Sequence, residues 1–195
     1  MEFLDRLRNQ PDAVLAEEYT KHHDRLWHIV RFRMSPKLRG RVDPDDVLQE
    51  AYLAARERLS NYQPPMSFFV WLRLIVTQTL VDVFRRHVEA QMRDAGREQA
   101  LQSSSGSLAE KLTGHLTSPS QAAARVEMVE RLQQALDRID VIDLEIILLR
   151  HFEELSNLEA AEVLGLSPKA ASARYIRALE RLKETMKEFP GCLNV

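Results

Sequence analysis

Ser156-Asn-Leu-Glu-Ala-Ala-Glu-Val-Leu-Gly165-Leu-Ser-Pro-Lys-Ala-Ala-Ser-Ala-Arg-Tyr175-Ile-Arg-Ala-Leu-Glu-Arg-Leu182 reads as two helices joined by a tight turn. Ser156 and Glu159 stand three residues apart, the spacing of a capping box. Ala160 and Ala161 are small enough to let two helices cross closely. Leu164-Gly165-Leu166-Ser167 supplies the turn, with a glycine free to take a positive φ. Ser167-Pro168 then opens a second, longer helix. Ala171, Tyr175, Ala178 and Leu182 recur at helical spacing and face inward. Lys169, Ala170, Ala173 and Arg177 project to the opposite side, with Ser172 and Arg174 on the flanks. A helix-turn-helix needs this geometry. Its outer face suits a DNA major groove. Lys and Arg can meet phosphates or guanine edges, and two alanines permit close approach and contact with thymine methyls. A helical hairpin with no nucleic-acid role fits the same spacing.

Charge bears on that choice. The 195-residue chain carries a formal net charge of −2, which taken alone argues against a nucleic-acid binder. The distribution points elsewhere. Residues 21–41 hold seven Lys/Arg against one Asp, and residues 43–61 hold two Arg against five acids. Residues 137–164 hold two Arg against eight acids, whereas residues 165–190 hold six Lys/Arg against three Glu. Separate faces for separate partners would produce such blocks, as would ordinary solvated helix faces. The acidic block before Gly165 repels DNA and the basic block after it attracts DNA, which favours docking by the last helix.

The rest of the chain reads as helical. Six glycines and eight prolines are few, and Leu, Ala, Glu and Arg are plentiful. Residues 13–34 carry apolar residues at helical spacing, from Leu15 and Tyr19 to Ile29 and Phe32. Asp43-Pro44-Asp45-Asp46 is a helix start, with a cap, a proline at the first position and two carboxylates at the positive dipole end. That helix runs to about Leu59, where Asn61-Tyr-Gln-Pro-Pro-Met-Ser67 breaks it. Residues 68–87 follow, apolar around the circumference and therefore central to the first domain. The second half divides into residues 121–138, residues 143–152 and the two helices quoted above. Between the halves, Gln102-Ser-Ser-Ser-Gly-Ser107 has the composition of a tether. The expectation is an all-α chain of two small helical domains, residues 11–88 and 120–188, joined by a linker over residues 89–119.

Other chemistry is set aside. The lone Cys192 excludes an internal disulfide framework and a cysteine-rich zinc site. His22 and His23 are adjacent, so on a helix they point about 100° apart. Neither has an i+4 partner that would make a strong metal-ligand pair. No glycine-rich phosphate loop or Ser/His/Asp arrangement occurs. A non-enzyme without cofactor or metal is expected. The N-terminus lacks the apolar core of a signal peptide, and no stretch approaches the ~18 apolar residues of a membrane span, so a cytoplasmic protein is expected.

Three local patterns, in order along the chain, resemble a known family. They are Asp46-Val-Leu-Gln-Glu-Ala51; Phe68-x-x-Trp-Leu-x-x-Ile75 with Asp82 and Arg85-Arg86 in register; and Leu155-Ser-x-x-Glu-x-Ala161-x-x-Leu-Gly-Leu-Ser167 followed by Arg174 and Arg177-Ala178. The chain resembles bacterial sigma factors of the sigma-70 superfamily, in the short extracytoplasmic-function (ECF) group. The likeness spans residues 15–87 and 118–187. It implies a region 2 and a region 4, each a helical DNA-binding domain. It implies that Asp46, Gln49 and Glu50 bind core RNA polymerase at the β′ clamp, and that region 4 meets the β flap. Promoter DNA would meet Asn61, Arg73, Gln78, Asp82, Arg85 and Arg86 at the −10 element. At the −35 element it would meet Lys169, Ala170, Ser172, Ala173, Arg174 and Arg177. An anti-sigma partner is implied as well.

Trp71 and Phe68 could stack on extruded bases, but aromatics at i and i+3 of a buried helix favour a core role. The polar loop 61–67 is the better candidate for holding an unstacked base. Arg31, Arg33, Lys37, Arg39 and Arg41 form a second basic strip, a phosphate track or a solvated face. The sequence departs from the family at Gln78, where Asn is usual, and at Ala170-Ala171, where Thr-Val is usual. It departs again at Ile139-Asp140, where Leu-Pro is usual. The first two put −10 base preference in doubt and shift −35 readout toward shape and phosphate contacts. Two rival readings remain. A free-standing helix-turn-helix regulator leaves the first two patterns unused. A helical protein-binding adaptor predicts no role for Arg174 and Arg177 in DNA binding.

Overall fold

A computed structural model describes residues 2–35, 38, 40–92, 133 and 136–187. The chain divides into two compact units, Met1–Glu98 and Gln99–Val195. All regular structure among the described residues is helical. The serine/glycine tether, most of the expected helix 121–138, Lys37, Arg39 and Cys192 lie outside those residues.

Unit 1 contains α1 (Glu2–Asn9), α2 (Pro11–Arg33), α3 (Pro44–Arg58), a 3-10 turn (Leu59–Asn61) and α4 (Phe68–Met92). α2 begins two residues before the expected Ala13 because Pro11 takes the first helical position. α3 starts as its sequence dictates, with the Asp43 carboxylate accepting from the Asp45 amide at 3.0 Å. α4 packs against both α2 and α3, the central position its apolar circumference requires. The core joins Leu15, Leu26, Ile29 and Phe32 to Val47, Leu48 and Ala51, and to Val70, Leu72 and Val76. Within it the Tyr19 hydroxyl donates to the Leu48 carbonyl at 2.6 Å, tying α2 to α3. Phe3 of α1 meets the Phe68 ring edge-on at 5.4 Å, so this unanticipated first helix covers the start of α4.

Unit 2 contains α5 (Val141–His151), α6 (Asn157–Leu164) and α7 (Pro168–Lys187). Asp140 caps α5 and accepts from the amides of Ile142 and Asp143 at 3.0 and 3.3 Å. The helix therefore starts earlier than the expected Asp143, which becomes a residue of the first turn. The α6 capping box is complete. Ser156 Oγ accepts from the Glu159 amide at 3.2 Å, and the Glu159 carboxylate accepts from the Ser156 amide at 2.7 Å. Gly165 ends α6 at φ 63°. Gly165 N–H reaches the Glu162 carbonyl at 3.2 Å and Leu166 N–H reaches Ala161 at 2.9 Å, the paired bonds of a Schellman ending. Ser167 then caps α7 by accepting from the Ala170 amide at 3.2 Å. The Asn157 amide group donates to the Pro168 carbonyl at 2.9 Å, pinning the turn from the α6 side. Ile146, Ile147, Ala161, Ala171 and Ala178 form a buried cluster closed by Leu164, Leu166, Tyr175 and Leu182.

Candidate nucleic-acid interface

α7 presents two faces. Ala171 and Ala178 are fully buried, and Tyr175 and Leu182 are half-buried against the cluster. Lys169, Ala170, Ser172, Ala173 and Arg177 are all exposed. Ile176 joins them at 57% exposure. It lies 60° from Ala173 around the helix axis, between Lys169 and Ser172, and the sequence reading passed over it. The clue was available: an isoleucine off the inward row of a helix with a complete apolar face has no core to enter.

Arg174, expected on the flank of this face, is half-buried and paired within the unit. Its guanidinium donates to Asp143 Oδ1 at 2.9 Å and approaches Asp140 Oδ1 at 3.5 Å. Arg181, two helical turns further on, donates to the other Asp143 oxygen. Asp143 is only 2% exposed, so two cations from α7 neutralise a carboxylate otherwise isolated in the core of α5. The acidic start of α5 and the basic α7 are thus partners within the unit. The block pattern of charge reflects this internal pairing as well as any external partner.

In unit 1, Asp46, Gln49 and Glu50 are exposed on one side of α3. Leu53 continues the row at 57% exposure. Tyr19, His23, Asp45, Leu48, Gln49, Tyr52 and Leu53 line a surface groove of about 490 Å³ beside it. This face therefore offers acidic groups, an amide and an apolar edge together.

The α4 candidates separate. Gln78, Asp82, Arg85 and Arg86 are exposed, and Asn61 is exposed at the end of the 3-10 turn. The Gln78 oxygen accepts from Arg58 at 3.1 Å, and Arg86 pairs with Glu50. Arg73, expected at a phosphate, is only 3% exposed. The reason is helical register, since position 73 shares the inward row of Phe69, Val76 and Leu80. Phe68 and Trp71 are buried, with rings 5.1 Å apart, and Tyr62 from the loop packs on both at 5.0 and 5.6 Å. Of the basic strip, Arg31 and Arg41 are exposed and Arg33 is half-buried. Among the described residues no group of three or more His, Cys, Asp or Glu side chains is placed to hold a metal ion. No described helix is long and apolar enough to cross a membrane.

Comparison with known proteins gives this architecture its class. Residues 19–89 match sigma-70 region 2, and residues 129–182 match sigma-70 region 4. The chain is 32% identical over 141 residues to the RNA polymerase sigma factor CnrH of Cupriavidus metallidurans, covering 72% of each. It is 22% identical to the ECF RNA polymerase sigma factor SigW of Bacillus subtilis, over 80% of this chain and 83% of that one. The solved structure of CnrH in complex with the cytosolic domain of CnrY shares the fold over 96% of both chains, with a TM-score of 0.54 at 24% identity. The chain belongs to the ECF group of the sigma-70 family of RNA polymerase sigma factors. It is a non-enzymatic subunit that binds core polymerase and DNA and directs promoter recognition.

Proposed function

We propose that this sigma factor engages the β′ clamp of core polymerase through Asp46, Gln49 and Glu50 on α3. α7 enters the −35 major groove with Lys169, Ala170, Ser172, Ala173 and Arg177. Asn61, Gln78, Asp82, Arg85 and Arg86 serve the −10 element. Residues 11–88 act as region 2, residues 120–188 as region 4 and residues 89–119 as the tether. Unit 2 also meets the β flap, an anti-sigma factor holds the chain inactive, and the protein works in the cytoplasm. The observation that carries the DNA assignment is the exposed outer face of α7. It is set at the end of a capped, Schellman-terminated turn and has cations at positions 169 and 177. The net charge of −2 implies weak DNA affinity for the free chain, so both units gain from polymerase fixing their spacing.

Run-off transcription tests this reading. Core polymerase, the full chain and fragments of the genomic region encoding it should yield discrete transcripts that core polymerase alone does not make. Gln49→Ala/Glu50→Ala should reduce both polymerase capture and transcript yield. Initiation that ignores the added chain would overturn the proposal.

A further inference from the structure

The outer face of α7 carries its hydrogen-bonding groups at the margins and apolar groups at the centre. Ala173 lies at the middle of the face, and Ile176 stands beside it, 57% exposed. Neither can exchange a hydrogen bond with a base edge. Lys169 and Arg177 stand about 12 Å apart along the axis, at about 1.5 Å per residue, so the two cations flank the stretch that holds Ala173 and Ile176. Arg174, the remaining cation in this half of the helix, is held by Asp143 at 2.9 Å. Glu180, exposed one turn beyond Ile176, repels phosphates and confines close approach to the N-terminal half.

We infer that α7 reads the −35 element chiefly by apolar contact of Ala173 and Ile176 with thymine 5-methyl groups, Lys169 and Arg177 holding the flanking phosphates. This rests on the promoter-recognition reading and adds the base it selects. The chemistry discriminates in both directions. A thymine methyl under Ile176 loses apolar surface to water-free contact. A cytosine or adenine there has its exocyclic amine stripped of water with no acceptor offered in return. Ile176 would otherwise be a β-branched apolar side chain left in water on the face turned to DNA.

The test uses holoenzyme assembled from core polymerase and the full chain. Duplexes randomised across the −35 window are selected for retention. The enriched sequence is then resynthesised with deoxyuridine in place of each thymine in turn. Removing one contacted methyl should lower retention about fourfold, the worth of one buried methyl-sized group. Holoenzyme carrying Ile176→Gln should lose that difference at the thymine under Ile176 and keep it at one under Ala173. The substitution is at an exposed helical site, and circular dichroism equal to that of the parent checks that it folds. Equal retention of thymine and uracil duplexes by the parent holoenzyme overturns the inference. So does an enriched window without thymine, or uracil penalties that Ile176→Gln leaves unchanged at every position. These results leave promoter recognition intact, whereas holoenzyme that enriches no sequence at all defeats both.

Discussion

Arg86, near the end of α4, forms an ion pair with Glu50 on α3. The two side chains were expected to face different partners, promoter DNA and polymerase, and in the free chain they satisfy each other. Both remain about half exposed, 58% for Arg86 and 47% for Glu50. An exposed pair of this kind contributes no more than about 1 kcal/mol to stability. Polymerase binding at Glu50 would therefore release Arg86 at small cost. Glu50→Ala should leave the urea midpoint of the full chain nearly unchanged while weakening capture on immobilised core polymerase. Arg86→Ala should be equally mild in urea and should spare capture. Loss of capture by Arg86→Ala would show that the arginine, not the glutamate, meets the polymerase.

Asp143 makes the opposite case, because its carboxylate is buried while its partners reach water. Arg174 is 29% exposed and Arg181 is 60% exposed. Breaking a fully buried pair costs about 3–5 kcal/mol. Here the two guanidiniums can rehydrate, so Asp143→Ala should cost about 1.5–3 kcal/mol, the usual range for a lost charged hydrogen bond. Arg174→Ala should cost less, since Arg181 still neutralises the carboxylate. Thermal unfolding followed by circular dichroism measures both. Arg174→Ala matching or exceeding Asp143→Ala would show that Arg181 does not share the load.

These two pairs mark the limit of what the sequence discloses. The helix starts at Asp43 and Ser156 and the end at Gly165 were legible, because caps and left-handed turns depend on residues within one turn of the chain. The buried and exposed faces of α7 were legible from period alone. The surroundings of Arg73 and Arg174 were not legible because helical period fixes direction about one axis and says nothing of what stands opposite. Arg73 falls on the inward row of a helix whose whole circumference is apolar, so no polar face warned of its orientation. Arg174 sits on a flank, and its fate depends on Asp143, 31 residues away. Ile139-Asp140 stands where a Leu-Pro pair is usual, and Asp140 caps α5 with its side chain. The short α1 was missed because its role, covering Phe68 with Phe3, is tertiary.

His22 gives unit 1 a pH dependence of definite sign. Its side chain is 15% exposed, its ring lies 4.8 Å from Phe69, and its Nε2 is 3.3 Å from a Glu18 oxygen. Burial lowers its pKa, with Lys21 and Arg25 acting the same way, and the opposing pull of Glu18 does not reverse this. The folded chain thus holds His22 neutral at a pH where the unfolded chain, with a value near 6.5, begins to take up the proton. The stabilising contribution is complete above about pH 6.5 and is lost as pH falls from there through the folded value. His22→Gln removes that proton uptake. Urea midpoints of parent and variant should run parallel above pH 7 and converge or cross as the pH falls below about 6.5, the parent falling faster. A parent that gains on the variant as pH drops would mean that Glu18 outweighs burial.

Gly165 tests the turn on which the α7 assignment depends. Its φ of 63° is left-handed, and a Cβ built there meets nothing within 4 Å. A substitution therefore pays no packing penalty, and its cost is the backbone conformation alone. Alanine in that region costs about 1 kcal/mol, and asparagine, which visits it more readily, costs less. Gly165→Ala should lower the Tm of unit 2 in the full chain by about 4–8 °C, the shift expected per kcal/mol for a domain of 60–100 residues. Gly165→Asn should fall between parent and alanine. The order parent, asparagine, alanine identifies left-handed geometry as the cause. Equal losses from both substitutions would point to a clash, and an unchanged Tm for alanine would mean that the turn between α6 and α7 does not hold φ positive at this residue.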